Sequence, residues 1–181
     1  CALPISIMQM NLSDVLSRDE KVVSMEAEIA LDAFTSGLGT FPIVRKTPLS
    51  LCIRNTGNKV LEISGKMELD AIIPCSRCLE DVRTTIHLDI FRKLDMKLSE
   101  DDRIKALDEN SYIADYTLDV DGLVYDELLT VWPMKVLCRE DCKGICMKCG
   151  KNLNEGDCGC DRTVLDPRMA AIRDVFRNSG N

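Results

Sequence analysis

Aromatic residues are scarce in this sequence, only 4% of 181 residues, so its core has to be built from Leu, Ile, Val and Met. Histidine is rarer still. His87 is the one copy, which excludes an HExxH zinc-protease pair, and neither a GxSxG elbow nor a phosphate-cradling glycine loop is present. Positive charge is also in short supply: 23 Lys/Arg stand against 30 Asp/Glu, a formal net charge of -7. That balance excludes a generic nucleic-acid binder, whose affinity depends on neutralising phosphates. No run approaches the ~20 apolar residues of a membrane span. The opening CALPISIMQM has neither the basic start nor the apolar stretch of a signal peptide. The chain starts at Cys1; its first residues are given no function, and a cytoplasmic location is expected.

Hydrophobic residues make up 45% of the chain, and its length allows one domain with a packed core, or one domain with a small appendage. Charge is unevenly placed. Residues 135–181 hold nine Lys/Arg and seven Asp/Glu, against fourteen and twenty-three in residues 1–134. Any nucleic-acid contact is therefore expected to be local. Ten cysteines in a chain without a signal peptide read as metal ligands or redox groups rather than disulfides.

The first two-thirds alternates with the period of half-buried strands. Met25, Ala27, Ile29 and Leu31 alternate with Ser24, Glu26 and Glu28, and Leu49, Leu51 and Ile53 repeat the pattern. After the turn-like Asn55–Asn58, the clearest strand places Leu61, Ile63, Met67, Leu69, Ala71 and Ile73 on one face and Glu62, Ser64, Lys66, Glu68 and Asp70 on the other. Gly65 falls on the apolar face and suggests a bulge or bend. Val82, Thr84, Ile86, Leu88 and Ile90 form a further strand. Residues 94–111 read as a polar loop or weak surface helix, and Tyr112–Val120 as a return to the sheet. Asp121 is placed to cap a helix with Leu123, Val124, Leu128, Val131 and Trp132 as its stripe, stopped by Pro133. Asp166 and Pro167 open a C-terminal helix with Met169, Ile172, Val175 and Phe176 inward. The expected fold is α+β: an antiparallel sheet, open or barrel-like, with a packed helix, a cysteine-rich zinc module and a C-terminal helix. Residues 10–134 form the β-rich domain and 135–181 the zinc module with its helix.

Cys75 and Cys78 lie in PCSRC between the two best strands. A two-residue gap lets both thiolates face one ion while turn amides donate to sulfur, as in a zinc knuckle. A thioredoxin-like redox pair would instead open a helix. The run LCREDCKGICMKCGKNLNEGDCGC adds Cys138, Cys142, Cys146, Cys149, Cys158 and Cys160. Spacing makes Cys146, Cys149, Cys158 and Cys160 one tetrad, leaving Cys138 and Cys142 to complete the Cys75/Cys78 pair. Two zinc ions in closed four-thiolate sites follow, with a structural role. A single C-terminal site with the other thiols free, and iron–sulfur ligation, are the alternatives. Cys52 reads as an ordinary thiol.

No carboxylate pair or nucleophile–base set converges in the sequence, so no catalytic residue is assigned. His87 lies on the wetter sheet face as a solvated side chain, with a metal or RNA contact as the alternative. The elements CSRCLE, LTVWPMKVLC, DCKGICMKCGKNLNEGDCGC and DPRMAAIRDVF resemble, in that order, the YceD-like family of large ribosomal RNA subunit accumulation proteins. The resemblance implies a non-enzymatic role in ribosome biogenesis, with ribosomal RNA or a basic ribosomal protein as partner and no membrane or small-molecule substrate. Candidate contacts are Arg77, Lys135, Arg139, Lys143, Lys148, Lys151, Arg173 and Arg177; solvated surface charge is the plainer reading of each. An acidic adaptor that never touches RNA, and a cysteine-based redox or metal sensor, are the competing functions.

Overall fold

The computed structural model describes residues 9–97, 112–114 and 116–160. The chain divides into two compact units, one running to Ile73 and resuming over Asp81–Val136, the other joining Pro74–Glu80 to the chain from Leu137 onward. The helix expected from Asp166 and the segment 98–111 lie outside the described residues.

The first unit is mostly antiparallel sheet. Its elements are β1 (Gln9–Asn11), α1 (Ser13–Leu16), β2 (Val22–Ala27), β3 (Ala33–Ser36), β4 (Gly39–Lys46), β5 (Leu49–Asn55), β6 (Val60–Pro74), β7 (Asp81–Asp95), β8 (Ile113–Ala114), β9 (Thr117–Asp119) and α2 (Val120–Val131). The long strand β6 organises the main sheet. Leu61–Lys66 pair with β5 and Leu69–Ala71 with β4, while β7 also pairs with β6. Thr47 bridges the join between β4 and β5: its N–H donates to the Glu68 carbonyl at 2.9 Å, and its Oγ1 accepts from Glu68 N–H at 2.9 Å. The order β2-β5-β6-β4-β3 is an open path, and among the described residues no strand closes it into a barrel. Tyr112–Val120 does not rejoin this sheet. β8 and β9 combine with β1 in a separate three-stranded sheet of order β1-β9-β8.

The alternation maps directly onto burial. Leu61, Ile63, Met67, Leu69, Ala71 and Ile73 of β6 are buried, with Ile86, Leu88 and Ile90 of β7 and Leu49, Leu51 and Ile53 of β5. Gly65 keeps regular register opposite Leu51 and is no bulge; a Cβ there would stand 3.1 Å from Leu49 Cδ1, so close packing explains the glycine. The register shift lies instead in β4, between Ile43 and Arg45. β7 extends through Leu94, which is buried together with Met96, so the start of 94–111 is strand and core rather than loop.

Helix α2 is capped one residue pair earlier than the sequence suggests. Asp119 is the N-cap, its carboxylate accepting from Gly122 N–H at 3.0 Å, whereas Asp121 sits within the first turn and accepts from Ala30 N–H at 2.8 Å. Leu123, Val124 and Leu128 face the core, but Val131 is exposed, because the helix ends there and Trp132 turns extended before Pro133. Trp132 stacks on Phe34 with centroids 4.2 Å apart and meets Phe41 at 5.0 Å, and Phe34 also meets Tyr125 at 5.4 Å. Four of the eight aromatics are thus gathered where the β3–β4 hairpin meets α2.

The solvent face of β6 and β7 carries a ladder of cross-strand polar pairs, three of them between a carboxylate and a Lys or Arg. Glu62 meets Lys93 at 3.8 Å, Lys66 meets Asp89 at 3.0 Å, Glu68 meets His87 at 3.1 Å, and Asp70 meets Arg83 at 2.6 Å. Asp70 is nevertheless buried, unlike its neighbours on that face, because Arg83, Arg45 and Thr85 converge over it. The Thr85 hydroxyl at 2.7 Å and the Arg83 guanidinium hold its carboxyl below the ordinary 3.8, against the opposing effect of burial. A carboxyl depressed in the folded state stabilises the fold above its unfolded pKa and loses that effect as pH falls through the folded value. Asp70→Asn is therefore expected to lower the denaturant midpoint at pH 7. The gap from the native protein should narrow steadily as unfolding is measured below about pH 4.

Candidate metal centres

In the second unit the chain builds the same turn twice. In Pro74–Glu80, Leu79 N–H donates to the Cys75 carbonyl at 3.0 Å and Cys75 N–H to the Glu80 carbonyl at 2.8 Å. In the later segment, Gly150 N–H donates to the Cys146 carbonyl at 2.8 Å and Cys146 N–H to the Lys151 carbonyl at 2.9 Å. The residue after each second cysteine is left-handed, with φ +64° at Leu79 and +75° at Gly150. This conformation suits glycine and costs a leucine roughly 1–2 kcal/mol, yet Leu79 is 64% exposed, so no packing of that side chain offsets the strain. The backbone N–H groups inside each turn point at sulfur.

Eight sulfurs assemble as two tetrads. Cys75, Cys78, Cys138 and Cys142 form one and Cys146, Cys149, Cys158 and Cys160 the other, the ligand atoms of each lying within 4.8 Å of one another. Within the first tetrad, Cys75 and Cys142 Sγ are 3.8 Å apart and Cys78 and Cys138 Sγ 3.5 Å. A disulfide needs ~2.05 Å, and all eight are free thiols. Four sulfurs at ~2.3 Å from a single tetrahedral ion would stand about 3.8 Å from one another. The spacing therefore fits one ion per tetrad. The first tetrad is mostly buried, whereas in the second Cys149 is exposed and only Cys146 is buried.

The thiols in each tetrad are driven apart in acidity. Burial alone would raise Cys75, but the Cys78 and Arg77 amides outweigh it and bring the thiol down to about 6. In Cys146 the Cys149 and Lys148 amides do the same, again to about 6. Cys138 is pushed up to about 12, by burial and then by the neighbouring sulfurs of Cys78 and Cys142. Cys160 is likewise pushed up to about 12 by Cys149 and Cys158. Four like charges cannot share so small a space in the absence of a cation. Such a site can therefore exchange protons for a divalent ion.

Arg77, Gly144 and Asn154 hold the first tetrad's surroundings, and sequence inspection gave Arg77 only as a contact candidate and the other two no role. Arg77 donates through Nη1 to the Cys142 carbonyl at 2.7 Å, and its own carbonyl accepts from Ile145 N–H at 3.1 Å. Gly144 lies against that carbonyl: a Cβ there would stand 3.0 Å from Arg77 O, and φ is +76°. Asn154 donates to Cys142 Sγ at 3.3 Å, and this amide is the foremost cause of the lowered Cys142 pKa. The signals that could have found them were a glycine two residues after a ligand and an asparagine inside a ligand-bounded loop.

The other contact candidates differ in their engagement. Arg139 pairs with Asp141 at 3.5 Å, and Lys151 Nζ donates to the Asp157 carbonyl at 3.2 Å. Lys135, Lys143 and Lys148 are exposed, and their side chains have no partner among the described residues. Arg173 and Arg177 lie outside the described residues, as does Cys1. Cys52 is half-buried in β5, between Ser24 and Ser64, and belongs to neither tetrad.

The sheet and the cysteine unit together define an antiparallel-sheet protein carrying two four-cysteine groups that could hold metal ions. Residues 63–176, more than half of the chain, match the family model described as large ribosomal RNA subunit accumulation protein YceD, and the chain belongs to this family. It is similar to the uncharacterized protein Rv2926c of Mycobacterium tuberculosis, 27% identical over 128 residues, covering 71% of this chain and 61% of that one. It is also similar to the uncharacterized protein YlbN of Bacillus subtilis, 32% identical over 124 residues, covering 64% of this chain and 63% of that one. The chain thus spans about three-fifths of the length of these relatives. No solved structure gives a significant match. Among the described residues no helix is long and apolar enough to cross a membrane.

The two turn glycines separate strain from crowding. Gly150 has open space around a built Cβ, whereas Gly144 does not. Gly150→Ala is expected to cost about 1–2 kcal/mol, the left-handed penalty alone. Gly144→Ala should cost more, and should lower the metal content of the purified protein. Chemical unfolding combined with elemental analysis of both variants checks this.

Proposed function

We propose that this protein is a non-catalytic, zinc-stabilised cytoplasmic factor that supports accumulation of large-subunit ribosomal RNA by binding RNA or a ribosomal protein. Membership of a family described by that role carries the reading. The metal assigned is zinc, one ion in each tetrad, because zinc favours tetrahedral thiolate sets and four sulfurs leave no position open for chemistry. Zinc in such sites supplies apparent binding free energy of ~10–16 kcal/mol, which becomes folding free energy. That is enough to order a segment such as 138–160, where few apolar side chains are buried.

RNA contact is favoured over the acidic adaptor by where the charges are used. Glu62, Asp70 and Asp89 on β6 and β7 are matched by Lys93, Arg83 and Lys66, which reduces the free negative surface there for a basic client. The exposed lysines Lys143 and Lys148, without a side-chain partner among the described residues, lie in the cysteine unit, and thiolate-bound zinc does not consume them. Zinc knuckles presenting such side chains serve single-stranded RNA well.

Two measurements test this reading. Binding to large-subunit ribosomal RNA should weaken steeply with salt, and Lys143→Ala with Lys148→Ala should reduce the log–log salt slope by about 2. Binding confined to a basic ribosomal protein, without an RNA component, would select the adaptor instead. For the metal, elemental analysis should give close to two zinc per chain, and a value near one breaks the two-site assignment. Cys146→Ser should then unfold residues 138–160 while amide protection in the main sheet persists.

A further inference from the structure

We propose that Asn154 couples the two tetrads, so that metal binding by Cys146, Cys149, Cys158 and Cys160 raises the affinity of Cys75, Cys78, Cys138 and Cys142 for theirs. The proposal rests on the metal reading above and adds an order of loading to it.

Asn154 belongs to the loop between Cys149 and Cys158, so the second tetrad fixes both ends of the segment that carries it. The side chain itself reaches the first tetrad. Its Nδ2 donates to Cys142 Sγ at 3.3 Å, while its Oδ1 accepts from Lys143 N–H at 2.8 Å. The loop is fastened beside it: Leu153 N–H donates to the Gly144 carbonyl at 2.8 Å, Ile145 bridges to Asn152, and Asn154 N–H donates to Asn152 Oδ1 at 3.0 Å. A ligand of one centre is thus hydrogen-bonded by a residue whose position the other centre sets.

The order of filling follows from chain length. All four ligands of the second tetrad come from residues 146–160, whereas the first must bring Cys75 and Cys78 to Cys138 and Cys142 across some sixty residues. Closing the shorter loop loses less chain entropy. The local site orders its loop first, and the ordered loop presents the amide to Cys142. A hydrogen bond to a ligand atom draws charge from the sulfur and holds it in place, and outer partners of this kind are worth about 10–100-fold in metal affinity. The coupling is reciprocal by linkage. Asn154 is therefore a positioning residue.

The test uses the full chain, with zinc titrated against a chromophoric chelator and cobalt(II) as the spectroscopic probe. Cys158→Ser cripples the second tetrad and should lower zinc affinity at the first by about 10–100-fold. Asn154→Asp keeps the acceptor for Lys143 N–H but lacks the amide donor, and Asn154→Ala removes both without adding charge; each should lower first-site affinity by the same order. Either change should shift the sulfur-to-cobalt charge-transfer band of the first site, a signature that mere loosening of the loop would not give. Adding Asn154→Ala to Cys158→Ser should then cause little further loss. First-site affinity within twofold of native in Cys158→Ser, or fully additive losses in the double variant, overturns the proposal while leaving two metal sites in place. Failure of the native chain to take up any metal overturns the metal reading and the coupling together.

Discussion

Eight thiols compressed into two tetrads are the constraint on which the rest of the second unit depends. Within each group the sulfurs lie inside 4.8 Å, close enough that the ionisation of one opposes that of the next. Turn amides lower Cys75 and Cys146, while Cys138 and Cys160 are pushed far up. A divalent cation relieves this conflict, because it draws four thiolates into one tetrahedron and displaces the protons that otherwise separate them. The backbone is shaped to that end. Two copies of one turn, with left-handed residues at Leu79 and Gly150, aim their amides at sulfur. Gly144 admits the Arg77 carbonyl at a distance that would crowd any Cβ.

The first unit solves a different problem. With few aromatics, it relies on aliphatic alternation along β6 and its neighbours, and clusters four rings in the contact of Phe34, Phe41, Tyr125 and Trp132. On the solvent face of β6 and β7, Glu62, Asp70 and Asp89 are each paired with a Lys or Arg. On that face Asp70 is drawn inside, where two guanidinium groups and a hydroxyl replace its hydration. A net charge of -7 therefore does not mean a broad acidic patch on that face. The exposed lysines of the cysteine unit can act on phosphate at short range, because the opposing charge of more distant groups is screened within about 8–10 Å at ordinary ionic strength.

The proposed coupling gives the cysteine unit an internal sequence of events. A local tetrad forms from fifteen consecutive residues and organises a loop; the loop completes the surroundings of a tetrad whose ligands are far apart in the chain. Folding of the unit then reports on the supply of metal to both sites at once.

Period-two alternation gave away β5, β6 and β7, since one buried face forces every second side chain to be apolar. Cysteine spacing gave the division into tetrads, because a two-residue gap and a short loop restrict which sulfurs can meet. The helix cap was misplaced from Asp119 to Asp121 because two acidic residues flank the same turn, and only the approach of Ala30 N–H tells them apart. The pairing of β9 with β1 and the burial of Asp70 were decided by contacts beyond the reach of local periodicity. Arg77 is a clamp on Cys142 for the same reason. Local sequence determined which residues could be strand, turn or ligand, since periodicity and spacing act within a few residues. Tertiary structure alone decided which polar groups became internal partners, because a hydrogen bond or ion pair is fixed by where the chain brings two groups together, not by their types.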